Sequence, residues 1–388
     1  MIKIYGKIPK VKSDILNFKN LKEPIFATYK PKLEEIKKIA QNYKKFKNVI
    51  VIGNGGSINN FRAISKALDS NKKIFLADTM EPKILEDISR KCLKNDTVII
   101  SVSKSGNTIG VLEDLIYFIN RGYKNFVSVT GGGALKEISK KMNFPIIDHP
   151  NISGRFSGMT SCALFPSAVC GFDIKKIYNG SKTIYSSKKI KSKIFSFANT
   201  LFFLEKNGYD EIFMPIYSEL LSGFSNLIKQ LIHETTGKKE LGQTIISAIG
   251  PESQHHTNQR FFGGPKNILG LFINVKKRDN IKIRVPKKLK EIKLKDGNIK
   301  ILDKLDLSDA IQYEFEGVIK TTSEKKIPYI VIEIDKINEK SVGALMAIFQ
   351  YLAYYSALVR NQNPFDQPEV ERSKEMTFKL IKNLKQRN

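Results

Sequence analysis

The order of segments predicts an α/β fold: two parallel-sheet α/β sandwich domains followed by a C-terminal helix. Three observations carry this. Continuous apolar runs such as Val49-Ile50-Val51-Ile52 and Val98-Ile99-Ile100-Ser101-Val102 have the composition of strands buried on both faces. Each is followed at once by a small-residue turn and a segment of helical period, the alternation that makes a parallel sheet. The pattern then recurs in the second half, with strand-like runs at 211–217, 243–248, 268–275 and 329–334.

A chain of 388 residues with 41% hydrophobic content suits about two domains. No uninterrupted apolar run approaches the ~20 residues of a membrane span, and the first residues lack the apolar core and cleavage site of a signal peptide. Cys92, Cys162 and Cys170 cannot all pair and fit no zinc spacing. They read as small core residues in a reducing, cytoplasmic setting. The net charge of +27 raises nucleic acid as a partner. The lysines, however, are spread along the whole chain and form no block interleaved with aromatics. With no Trp and no recognisable nucleic-acid module, the charge argues for a lysine-coated surface. Such a field still attracts a small phosphorylated anion.

In chain order, residues 1–30 read as an N-terminal arm and 31–185 as the first α/β domain. Its first strand runs into Gly53-Asn54-Gly55-Gly56-Ser57 and a helix from about residue 58. Strand, glycine-rich turn and helix can cradle a phosphate, because backbone N–H groups are free at the helix start. A generic tight turn explains the same residues as well. The strand at 98–102 ends in Ser103-Lys104-Ser105-Gly106-Asn107-Thr108 before another helix. The hydroxyls of Ser103, Ser105 and Thr108 suit a phosphate monoester, whereas helix capping needs only one of them. Arg155, in Ser153-Gly154-Arg155-Phe156-Ser157, stands just before an apolar helix. A ligand, a carboxylate or a simple salt bridge would each account for it.

Residues 186–362 read as the second domain, with a basic β-hairpin inserted at 276–304 and a long apolar helix capped by Ser341. Tyr217, Leu220, Leu221, Phe224, Leu227, Ile228 and Leu231 recur at helical steps and would line one helix face. Gly237 is a plausible stop, which puts Glu234 in the last turn. The negative end of the helix dipole disfavours a carboxylate charge there, as suits a general base. Taken alone, the stretch fits one more surface glutamate better. His255 and His256 lie on a loop after a strand, where sites in α/β folds gather, and a solvent-facing loop explains them equally. Residues 363–388 read as a C-terminal helix, on which Lys374 is by default a solvated lysine.

Six segments, in order, resemble the phosphoglucose isomerase family of the sugar-isomerase superfamily. Gly55-Gly56-Ser57 resembles its first phosphate-side turn, with Ile58-Asn59-Asn60 in place of the usual Asp-Leu-Gly. Ser103-Lys104-Ser105 through Thr108 resembles its Ser-Lys-Thr…Thr loop, and Ser153-Gly154-Arg155-Phe156-Ser157 its Gly-Gly-Arg-Tyr/Phe-Ser. Glu234-Thr235-Thr236-Gly237-Lys238 resembles Glu-Ser-x-Gly-Lys, and Gln254-His255 through Gln259 resembles Gly-Gln-His-x-x-x-Gln. Phe365-Asp366-Gln367, Val370-Glu371 and Lys374 resemble Phe-Asp-Gln-x-Gly-Val-Glu-x-Gly-Lys, although Pro368-Glu369 replaces x-Gly.

The resemblance implies two sugar-isomerase-type domains and interconversion of glucose 6-phosphate with fructose 6-phosphate through an enediolate. Glu234 would be the base, His255 the ring-opening group, Lys374 a neighbour of the ring oxygen and Arg155 the enediolate stabiliser. Gly56, Ser57, Ser103, Lys104, Ser105, Thr108 and Gln367 would bind substrate at its phosphate end. No metal or other cofactor is implied. The expected partner is a second copy, with His255 shared across a homodimer. Two alternatives keep the same scaffold: a dual phosphoglucose/phosphomannose isomerase, or a non-catalytic sugar-phosphate-binding protein.

Overall fold

The computed structural model describes residues 2–9, 11 and 18–385. In chain order its strands are β1 (Ile2–Lys7), β2 (Asn48–Gly53), β3 (Lys73–Ala77), β4 (Thr97–Ser103), β5 (Phe126–Thr130), β6 (Ile146–Asp148), β7 (Glu211–Tyr217), β8 (Thr244–Ile249), β9 (Ile268–Val275) and β10 (Tyr329–Ile334). The helices that position the site are α1 (Gly56–Ala67), α2 (Ile109–Asn120), α3 (Ile174–Tyr185), α4 (Lys188–Lys206), α5 (Gly223–Thr236), α6 (Glu339–Val359) and α7 (Glu371–Lys385).

The first sheet has the order β3-β2-β4-β5-β6 and is parallel throughout. Val49 opposes Val98 and Val51 opposes Ile100. Every residue of β2 and β4 is buried, which is why these strands read as unbroken apolar runs. The chain leaves β2 for β3 on one side and then crosses to β4 on the other. A crevice therefore opens at the carboxyl ends of β2 and β4, where α/β sheets take their ligands.

The second sheet has the order β1-β10-β9-β7-β8, parallel except for β1. Between the two sheets runs α6, which packs on α3, α4 and α5. It is long and apolar enough to cross a membrane by length and composition, yet 94% of its most apolar window is buried inside the fold. A helix walled in on every side has no use for a polar face. The expected boundary at 185 falls in the short turn between α3 and α4. Cys92, Cys162 and Cys170 are buried in the core, as expected.

Four expectations change. Residues 2–7, read as part of an arm, are strand β1, antiparallel to β10 with Ile2 opposite Ile334 and Ile4 opposite Ile332. Its apolar residues alternate, the period of a strand rather than of a loop. Met1, Lys10 and 12–17 of that arm, and 386–388 of the expected C-terminal helix, lie outside the described residues. The helix carrying Glu234 starts at Gly223, so Tyr217 belongs to β7 and Leu220, 53% exposed, sits on a 3-10 turn. Segment 276–304 is no hairpin. It is a loop with two 3-10 turns, drawn together by Asp303, which accepts from Val285 N at 2.9 Å and also from Lys290 Nζ. Around Gly297, with φ +104°, the chain turns back for one isolated antiparallel bridge between Lys293 and Asn298, and no ladder extends from it. Finally, α6 is capped by Asn338, and Ser341 returns the bond from the third position of a capping box.

Candidate active site

The turn after β2 is the meeting point of the site. A Cβ on Gly56 would come within 2.1 Å of Gly154 C, so glycine is required for this turn to lie against the backbone that carries Arg155. Asn60, on the first turns of α1, stitches the two segments by donating to Gly56 O at 2.7 Å and Gly154 O at 2.9 Å. On its other side the turn reaches α5, the helix that carries Glu234, since a Cβ on Gly55 would lie 2.9 Å from Gln230 Nε2. The amphipathic face of α5 packs on α1, which brings its last turn and Glu234 to the crevice.

Arg155 is the fixed point. Its side chain is wholly buried, and its guanidinium is satisfied on every side. Nε donates to Thr235 Oγ1 at 2.8 Å. Nη1 faces Glu234 Oε2 at 3.2 Å, Gln367 Oε1 at 2.6 Å and Ser153 Oγ at 3.3 Å. Nη2 donates to Pro364 O at 2.7 Å and Asp366 O at 2.9 Å. Burial pulls the guanidinium below its ordinary range, and the Glu234 carboxylate acts against that. A rigid five-donor fork is the residue type such a junction needs. Glu234 is held from two directions, by Arg155 on Oε2 and by Gln230 Nε2 on Oε1 at 2.9 Å.

Lys238, buried beyond the end of α5, clamps the C-terminal turn. Its Nζ lies 2.6 Å from Asp366 Oδ1 and also donates to Asn363 O. That turn carries Gln367, which sits beside Arg155.

At the end of β4, the Ser103 and Thr108 hydroxyls are 2.9 Å apart. Thr108 precedes α2 but its side chain caps nothing, so its hydroxyl faces Ser103 instead of the helix. Ser103 Oγ accepts from Gly106 N at 3.1 Å and Ser105 Oγ from Asn107 N at 3.2 Å. Gly106 has φ +71°, and a Cβ there would strike Gly132 O at 1.7 Å, so the loop folds tightly against the turn after β5. Asn54, in the β2 turn, lies against Gly110 at the start of α2, where a Cβ would fall 3.0 Å from its Oδ1, and its Nδ2 donates to Asp78 O at 3.2 Å. Lys104 is half-buried within the loop, and Ser57 is half-buried on the first turn of α1.

The fold of one chain thus gathers Arg155, Glu234 and Gln367 directly, and sets Gly56, Ser57 and the 103–108 loop at the carboxyl ends of β2 and β4. Two expected residues are not gathered. His255 is exposed on the 3-10 turn Glu252–His255 after β8. Lys374 is exposed on α7, 2.7 Å from Glu371 Oε1 one turn away. Gln230, Asn59, Thr235 and Lys238 belong to the assembly without having been singled out for a role. Gln230 stands four residues before Glu234, the helical spacing at which side chains meet, and that signal could have found it.

No protein-family model matches the chain. It is 30% identical over 349 residues to the glucose-6-phosphate isomerase of Methanocaldococcus jannaschii, covering 87% of this chain and 85% of that one. Among solved structures, it resembles a hypothetical protein from Thermus thermophilus with a TM-score of 0.85 and 22% identity, covering 92% of this chain and 89% of that one. It also resembles a glucose-6-phosphate isomerase from Chlamydia trachomatis with a TM-score of 0.75 and 18% identity, covering 91% of this chain and 73% of that one.

Proposed function

The chain belongs to the glucose-6-phosphate isomerase family and is an aldose–ketose isomerase interconverting glucose 6-phosphate and fructose 6-phosphate; we propose that Glu234 is the base that moves the proton. The observation that carries this is the pair of donors on its carboxylate, Arg155 on one oxygen and Gln230 on the other. They orient a half-buried carboxylate beside the crevice, and each carboxylate oxygen keeps a lone pair for a substrate C–H.

Glu234 takes the proton from C2 of the open-chain aldose and returns it to C1. The intermediate enediolate carries negative charge, which the buried Arg155 cation stabilises without having to reorganise. Ser57 and the hydroxyls and backbone N–H groups of the 103–108 loop hold the phosphate. That remote anchor sets the distance between the base and the reacting carbons. Gln367 Oε1 faces Arg155, which supports a part in holding the stabilising cation as well as the substrate.

Ring opening requires an acid–base group, and the family pattern gives it to His255 with Lys374 nearby. Both stand on exposed elements, which supports a homodimer in which the His255 turn of one copy enters the other's crevice. The three buried thiols agree with a reducing, cytoplasmic setting.

The test is a coupled assay of fructose 6-phosphate to glucose 6-phosphate, with and without chelator, on the parent and on Glu234→Gln. The parent turns over and the variant loses about 10²–10⁴-fold in kcat. Near-parental turnover by a folded Glu234→Gln would refute the assignment.

A further inference from the structure

We propose that Asn59 is a positioning residue for the isomerisation, acting through Gln230 to fix the orientation of the Glu234 carboxylate. The inference rests on Glu234 being the base.

The family pattern has leucine where Asn59 stands, so the segment departs from it with an amide. Asn59 Nδ2 donates to Gln230 Oε1 at 3.0 Å, and Gln230 Nε2 donates to Glu234 Oε1 at 2.9 Å. A primary amide has a donor end and an acceptor end of nearly the same shape. Left to itself, Gln230 can present either end to the carboxylate, and its oxygen there would repel Glu234. The Asn59 amide reinforces the orientation that the carboxylate, an acceptor only, already favours. Its N–H claims Gln230 Oε1, so only Nε2 faces the base.

The relay starts where it matters. Asn59 lies on the first turn of α1, and its backbone N–H is bonded to Gly55 O at 2.9 Å. One residue away, Asn60 ties that turn to Gly154 O, beside Arg155. Both donors on the base therefore trace back to the turn after β2: Gln230 by way of Asn59, and Arg155 by way of Gly154 and Asn60. The site's phosphate-side turn and its base become one framework. The Asn59 side chain bonds Gln230, which in turn bonds Glu234, so its effect should appear in turnover and not in affinity.

The experiment measures kcat and KM for fructose 6-phosphate on Asn59→Leu, Asn59→Asp, Gln230→Met and Asn59→Leu with Gln230→Met, beside Glu234→Gln. Asn59→Leu restores the family residue and should lower kcat about tenfold with KM within about twofold of the parent. Asn59→Asp keeps the shape but cannot donate; it accepts from Gln230 Nε2 and turns the amide oxygen to the base, so kcat should fall at least as far. In the Gln230→Met background the same Asn59→Leu change should cost less than about twofold, because the relay is already cut. A contact that merely joins α1 to α5 would instead give additive losses, or a raised KM at unchanged kcat, and either result overturns the proposal. Should Asn59→Leu fail to fold, the isosteric Asn59→Asp carries the same comparison. Glu234→Gln inactive with both Asn59 variants at parental kcat refutes the relay alone. Glu234→Gln retaining turnover refutes the base assignment and the relay with it.

Discussion

Arg155 Nη1 lies 3.2 Å from Glu234 Oε2, with the arginine side chain wholly buried and the glutamate side chain 27% exposed. The cation is locked and the carboxylate is partly open to solvent, which is the asymmetry that the proposed base and its fixed counter-charge require. Charge alone should not suffice. Arg155→Lys keeps the cation but cannot span Thr235, Pro364, Asp366 and Gln367 together. We expect kcat to fall about a hundredfold or more, and the unfolding midpoint to drop as buried carbonyls lose donors worth about 1–3 kcal/mol each. Parental kcat in Arg155→Lys would show that the fork geometry is irrelevant.

Ser103 and Thr108 face each other rather than the helix behind them. Replacing both with alanine removes two hydroxyls from the proposed phosphate end and should raise KM for fructose 6-phosphate, with some loss of kcat because remote binding assists the chemistry. For the parent, unphosphorylated fructose should be a poor substrate. Comparable kcat/KM for fructose and its 6-phosphate would remove the phosphate-binding role from this loop.

Asp114 on α2 is 1% exposed, and its Oδ1 has no hydrogen-bond partner among the described residues. Burial, and then the nearby Glu113 and Asp78, push its carboxyl up from 3.8 to about 7. The folded value lies above the unfolded one, so its contribution to stability is fully present below about pH 4 and is lost as pH rises through about 7. Asp114→Asn keeps the size and stays neutral. Its urea midpoint should match the parent's more closely at acid pH and exceed it above pH 8. A parent-to-variant difference that is constant across pH would show that Asp114 does not titrate in this range.

Exposed His255 and half-buried Glu234 allow a mixing test for the shared site. Glu234→Gln and His255→Ala chains, each near its own low baseline, are dissociated together and re-paired. A hybrid dimer then has one site with both groups intact. Hybrids form about half of the dimers, so recovery should approach roughly a quarter of parental activity. If hybrids form and activity stays at the average of the two baselines, each site is built within one chain.

Much of the fold was legible because β2 and β4 are buried on both faces, which forces unbroken apolar composition and leaves small residues at their ends. The helix carrying Glu234 was legible by the helical period of Phe224, Leu227, Ile228 and Leu231 on its buried face, while Leu220 misled because helical spacing continues by chance into a turn. Strand β1 was harder to see: it pairs on one edge only, so Lys3 and Tyr5 stay exposed or near it and dilute the signal. In the site, motif order located Arg155 and Glu234, but not the bond from Gln230, whose role depends on an amide orientation that no spacing encodes. Lys238 was visible as a motif letter, yet its clamp on Asp366 spans more than a hundred residues and exists only once the chain has folded.

The pairing of β1 with β10 has a consequence for synthesis. Tyr5 and Glu333 are 328 positions apart, yet their side chains meet across this strand pair. A ribosome adding ~5–20 residues per second releases β1 on the order of 20–60 s before β10 exists. For that interval the first strand has no ladder to join, and its alternating Ile2 and Ile4 stand open to any chaperone that scans emerging chains. The second sheet is therefore closed by joining its last strand to one translated long before it.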